Sequence, residues 1–168
     1  MARVKDIQKG TDIMVFIGET LGASTTYKSI AHATSHTLSI SGETVEVNSK
    51  DFGEFGSSNV NKITWEMSSE NLMTEDYEKL FDLMLAKGKV KLVWGMKSID
   101  TGIEGQTGAG APSYYTPKSN TASGYQGAKM GEAYITSLTQ NAPNGETATF
   151  SVTFTGVGAI TRMANASS

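Results

Sequence analysis

Residues 149–155, "TFSVTFT", keep a strict two-residue alternation: Phe150, Val152 and Phe154 interleave with Thr149, Ser151, Thr153 and Thr155. Side chains on extended backbone point to opposite faces in turn, so this stretch predicts a β-strand with two unlike faces. The aromatic and aliphatic face needs a core. The other face is smooth, hydroxylated and uncharged, and it looks out either on open water or on a wet channel.

The same period recurs along the chain. "GEAYITSLTQ" at 131–140 predicts a partner strand, and Asn144-Gly145 between the two is a hairpin turn signal. "DIMVFIG" (12–18), "HTLSISGETVEVNS" (36–49), "NKITWEMS" (61–68) and "KVKLVWGM" (89–96) read as further strands. Ile63, Trp65 and Met67 share one face of the third, and Gly42 in the second suggests a bulge or bend. Eighteen glycines against three prolines, with many serines and threonines, fit a chain of about six to eight strands and many turns.

One segment breaks the period. In "TEDYEKLFDLMLAKGKV" (74–90), Tyr77, Leu80, Phe81, Met84 and Leu85 fall at i, i+3, i+4, i+7 and i+8, which predicts a helix over about 75–87 with a single buried stripe. Thr74 is its candidate N-cap, Glu75 and Asp76 suit the positive end of the helix dipole, and Lys87 with Gly88 supplies the C-terminal charge and the left-handed stop. With Phe81 in that stripe, Phe81→Asp is expected to destroy the fold.

The chain of 168 residues is expected to form a single domain, 1–168, with a long loop at about 98–128 and a frayed tail, "ANASS". Cysteine is absent, which excludes disulfides and thiolate metal sites. A net charge of -3, with Lys and Arg spread along the chain, argues against a protein that grips phosphates. The opening "MARVKDIQKGTD" has no apolar run, and no stretch approaches the ~20 apolar residues of a spanning helix, so no membrane attachment is expected.

Chemistry-bearing patterns are missing. His32 and His36 stand four apart without close acidic partners, a poor metal site. "GQTGAGAP" (105–112) lacks the strand before and the helix after that a nucleotide cradle requires. Asp51, Glu54, Glu70, Asp76, Asp82 and Glu104 are scattered, and Trp65 and Trp94 sit in alternating strands as core residues. The sequence therefore supplies no catalytic, cofactor or metal site, and it is not expected to be an enzyme.

Three stretches in order carry a resemblance: "HATSHTLSIS" with the following "VNSKDFGEF"; "ITWEMSSENLMTEDYEKLFDLMLAKGKVKLVWG"; and "YQGAKMGEAYITSLTQNAPNGETATFSVTFTGVGAIT". Together they cover most of the chain, which resembles the major tail tube proteins of long-tailed bacteriophages, of the lactococcal-phage major tail protein type. The resemblance implies a mainly β fold, a β-sandwich or barrel with one packed α-helix. It also implies a structural virion protein without cofactor or membrane, assembled in the host cytoplasm. Its expected partners are itself, as hexameric rings stacked into a tube, the tape-measure protein, the tail-tip or baseplate and terminator proteins, and DNA passing without specific contact. About four strands per copy would give a shared barrel of about two dozen strands and a backbone diameter of roughly 45 to 50 Å, wide enough for a duplex. In such a tube Thr149, Ser151, Thr153, Thr155, Thr136 and Ser137 are the candidate lumen-facing residues. Phe52, Phe55, Tyr114 and Tyr115 are candidate contacts between subunits or rings. A tube subunit of a contractile tail or secretion apparatus, and a monomeric β-sandwich ligand-binding module, stay open as alternatives.

Overall fold

A computed structural model of the protein describes residues 8–21, 24–30, 33–47, 56–74, 76–97, 117–118, 120 and 127–163. A short 3-10 turn, Gly10–Asp12, leads into β1 (Ile13–Leu21), followed by β2 (Ser24–Ser29), β3 (Ala33–Val47), β4 (Ser57–Leu72), α1 (Asp76–Leu85), β5 (Lys89–Met96), β6 (Lys129–Asn141) and β7 (Thr149–Arg162). The seven strands form one antiparallel sheet in the order β2-β1-β5-β6-β7-β4-β3.

Laid flat, that sheet would measure roughly 29 Å between its outermost strands. Yet β2 ends at Ser29 and β3, at the opposite edge, begins at Ala33. The connection can span roughly 14 Å at most when fully extended. The sheet must therefore roll up, and β1 comes within 8 Å of β3. Inside the roll lie Trp65 and Met67 of β4, Phe150, Val152 and Phe154 of β7, Val90 and Leu92 of β5, Ala133 and Ile135 of β6, and Val15 of β1. Leu80 of α1 reaches into the same core, while Tyr77 and Met84 pack at its margin.

A second, smaller core forms where Phe16, Val93 and Ala128 are buried together, flanked by Met14, Tyr27, Met130 and Met163. Val93, on the opposite face of β5 from Val90 and Leu92, is thus buried as well. Above it, the buried side chain of Asn120 donates to the carbonyls of Ala128 (3.0 Å) and Met163 (2.8 Å) and accepts from the Ala128 amide (3.0 Å). Pro117 bridges to Lys97, and the Lys118 amide donates to the Met96 carbonyl. The segment expected as a loop over 98–128 thus returns to its point of departure by residue 117, and residues 98–116 lie outside the described residues.

The helix departs from expectation in three respects. It spans Asp76–Leu85, ending two residues earlier than predicted, while Glu75 lies outside the described residues. The Thr74 hydroxyl is buried without a partner, so the cap is made only by its carbonyl, which accepts from the Tyr77 amide at 3.2 Å. Phe81 and Leu85, placed by the periodicity in the buried stripe, are exposed. The reason is geometric: the helix is turned so that Leu83 joins Tyr77, Leu80 and Met84 against the core, which carries Phe81 and Leu85 outward.

Candidate functional site

Strand β7 bears out the alternation that opens the sequence. Phe150, Val152 and Phe154 are buried; Thr149, Ser151 and Thr153 on the opposite face are half-buried, and Thr155 is exposed. The ladder then shows what lies beside each hydroxyl. Ser137 of β6, Thr153 of β7, Ser68 of β4 and Thr37 of β3 stand in one row, four hydroxyl side chains across four consecutive strands. The adjacent row on one side is Thr139, Ser151, Glu70 and Ser35; on the other side it is Tyr134, Thr155, Glu66 and Ser39. Across these four strands no lysine or arginine enters the three rows, but the Tyr134 row continues onto β5 as Lys89, whose Nζ lies 5.9 Å from the centre of the Tyr134 ring.

The sequence places Thr136 and Ser137, adjacent on one strand, on the same face. A β-bulge makes this possible, because the β6–β7 register shifts between Ile135 and Ser137 and leaves Thr136 as the extra residue. Its hydroxyl donates to the Thr153 carbonyl at 3.4 Å and shares a hydrogen bond with the Thr155 hydroxyl at 2.9 Å. Thr37, Ser68, Ser35, Ser39 and Thr139 complete the face and are additions to the sequence-predicted set. Their signal was present in the alternating Ser and Thr of "ATSHTLSIS", but only the strand order shows that they adjoin β7.

Hydroxyls and two carboxylates make up most of the face. Glu66 and Glu70 are its carboxylates, two rows apart with Ser68 between them, too far to share a proton. A cavity of about 390 Å³ lined by Glu70, Thr139, Phe150 and Ser151 holds that one carboxylate and no histidine, lysine or arginine. His36 faces the other way, opposite Ser69. Neither of its ring nitrogens has a partner, and burial holds its pKa at about 4, well below the ordinary value. Among the described residues no three His, Asp or Glu side chains gather where a metal could bind. Phe52, Phe55, Tyr114 and Tyr115 lie outside the described residues.

Both lateral edges of this four-stranded face lack a strand neighbour among the described residues. β3 ends the sheet, and β5 accompanies β6 only as far as Tyr134, leaving Thr136 to Asn141 unaccompanied on that side. A row of unmatched backbone donors and acceptors is a template for another strand.

The fold has counterparts among solved structures. The tail of an empty gene transfer agent particle, refined with helical methods and C6 symmetry, superposes with a TM-score of 0.67 at 16% identity, covering 94% of this chain and 100% of that one. The chain has the tail-tube fold. The virion of a native gene transfer agent particle gives 0.65 at 15% identity over the same shares, and the SPP1 tail tube gives 0.63 at 9% identity over 95% of this chain and 80% of that one. No protein-family model matches the sequence, and no curated protein matches it at a significant level. No helix among the described residues is long and apolar enough to cross a membrane.

Proposed function

We propose that the protein is the subunit of a phage-type tail tube. Six copies close into a ring by pairing the free edge of β3 in one copy with the free stretch of β6 in the next, and rings stack into a hollow conduit. The hydroxyl and carboxylate face turns inward. It lines the path of the tape-measure protein and then of DNA, and tail-tip and terminator proteins bound the tube at its ends.

The observation that carries this reading is the uncharged row Ser137, Thr153, Ser68 and Thr37, continuous across four strands and open at both lateral ends. Such a row holds water well and itself offers no cation to arrest a sliding phosphate backbone, the nearest lysine of the ladder being Lys89 beside Tyr134. The structural likeness to two gene transfer agent particles and a phage tail tube supports the same reading.

Light scattering over a concentration series, followed by electron microscopy of the same fractions, tests it. Sixfold rings or hollow tubes are expected, with the tail-tip complex and tape measure added where the chain alone is slow to nucleate. A strict monomer in their presence would reject it.

A further inference from the structure

Strands β3 and β4 outrun the sheet. β4 pairs with β7 only from Glu66 to Leu72, so the backbone of Ser57–Trp65 continues beyond, laddered among the described residues to β3 alone. Nine residues of strand extend roughly 30 Å. A two-stranded arm of this length is marginal in water on its own, and this one bears unusual side chains. Ile40 is 51% exposed, Ile63 63% and Val60 61%.

These three form one strip. Ile40 pairs with Trp65, whose side chain faces the core, and Ile63 follows two residues along the same face. The register shifts between Glu43 and Thr44, yet Val60 stays with them: a Cβ built on Gly42, the partner of Ile63, would lie 3.2 Å from the Val60 Cγ1. The core's apolar face thus runs on past the core and into solvent.

A second uncovered strip lies on α1. Phe81 and Leu85, at i and i+4, are 40% and 66% exposed. Side chains at that spacing stand about 5 to 6 Å apart, close to the spacing of cross-strand neighbours on the arm. The two strips match in scale and in chemistry, and neither contains a charge. Within one copy they leave each other bare.

We infer that the apolar strip of the arm (Ile40, Val60, Ile63) seats on Phe81 and Leu85 of a second copy. The inference rests on the tube reading and adds to it the surface by which copies grip. Two different patches can pair reciprocally in a closed dimer or head-to-tail; in the tube, on which this inference rests, the pairing is head-to-tail. Such contacts propagate through every copy rather than ending at a dimer.

The chain has no cysteine, so introduced thiols report without background. The variants Ile63→Cys/Leu85→Cys and Val60→Cys/Phe81→Cys would be assembled, checked for tubes by electron microscopy, and treated with a short bis-maleimide. A denaturing gel should show a ladder of covalent multimers for the double variants, whereas any single-cysteine variant can reach a dimer at most. As a second readout, Ile63→Lys and Leu85→Lys should keep the wild-type unfolding midpoint while lowering the yield of assembled protein at least about tenfold. Tubes without a ladder in either double variant, or full assembly of both lysine variants, would overturn the arm contact and leave the tube reading standing. A wild-type chain that stays monomeric with its tail-tip complex would overturn both.

Discussion

Trp65 shows how a single side chain fixes the path of several strands. Its indole lies flat on β6 and β7 at Gly131 and Gly156, where any Cβ would overlap the ring, and its Nε1 donates to the Gly158 carbonyl at 3.1 Å. Gly156→Ala is therefore expected to cost at least about 2 kcal/mol in urea unfolding; an unchanged midpoint would mean that the ring can move aside. Lys87 presents the opposite case. It holds a left-handed backbone (φ 55°) at the end of α1, where the Gly88 amide reaches the Leu83 carbonyl and the Lys87 amide reaches Met84. The pattern is a helix stop that favours glycine, so Lys87→Gly should stabilise the protein by about 0.5 to 1 kcal/mol. His36 makes stability depend on pH. Its folded pKa of about 4 lies below the ordinary 6.5, so the unfolded chain binds the extra proton between those values. Stability is fully present above about pH 6.5 and declines as pH falls toward 4. Thermal unfolding at pH 7 and pH 5 should show a drop in midpoint that His36→Phe reduces; equal drops in both proteins would assign the acid sensitivity elsewhere.

At the scale of elements, alternation and helical period made most strands and α1 legible, because burial on one face leaves a direct imprint on composition. Where an element meets the core on only part of its length or width, the imprint misleads. Ile63 shares the pattern of Trp65 and Met67 but lies beyond the sheet, and Phe81 shares the pattern of Leu80 but lies beyond the helix contact. Nor could a local pattern show that β2 and β3 sit at opposite sheet edges, or that Asn120 fastens the segment before β6. The hydroxyl face was half legible: β7 declared it, the bulge at Thr136 was invisible, and the rows on β4 and β3 needed the strand order. Phe81→Asp, expected from sequence to abolish folding, should instead leave the circular dichroism spectrum intact and cost about 1 to 1.5 kcal/mol, chiefly the lost stacking on Tyr77. Leu80→Ala, one residue away and buried, should cost about 2 to 4 kcal/mol. If the two variants proved equally destabilised, α1 would have to pack more deeply than the exposure of Phe81 indicates.

For the molecule as a whole, the question is what the hydroxyl face turns toward, and charge is the means of asking. Ser151 and Thr153 lie mid-strand on β7, opposite Glu70 and Ser68, with side chains directed away from the core. Replacing both by lysine should therefore leave folding nearly unchanged, since a long side chain can carry its ammonium into solvent. In a sixfold ring the double variant would add about a dozen cations to one circumference. If that circumference faces the lumen, tubes should form normally and DNA ejection from reconstituted particles should slow, because each phosphate passing the ring meets a fixed counter-charge. The delay should shrink as salt rises from about 0.1 to 1 M, where the screening length falls from ~10 Å to ~3 Å. Rings that fail to close would put the two residues at a subunit boundary. Tubes that eject DNA at the wild-type rate at low salt would put the hydroxyl face on the outside, and the channel would then have to be lined by the opposite side of the sheet, where Phe150, Val152 and Phe154 are already committed to the core.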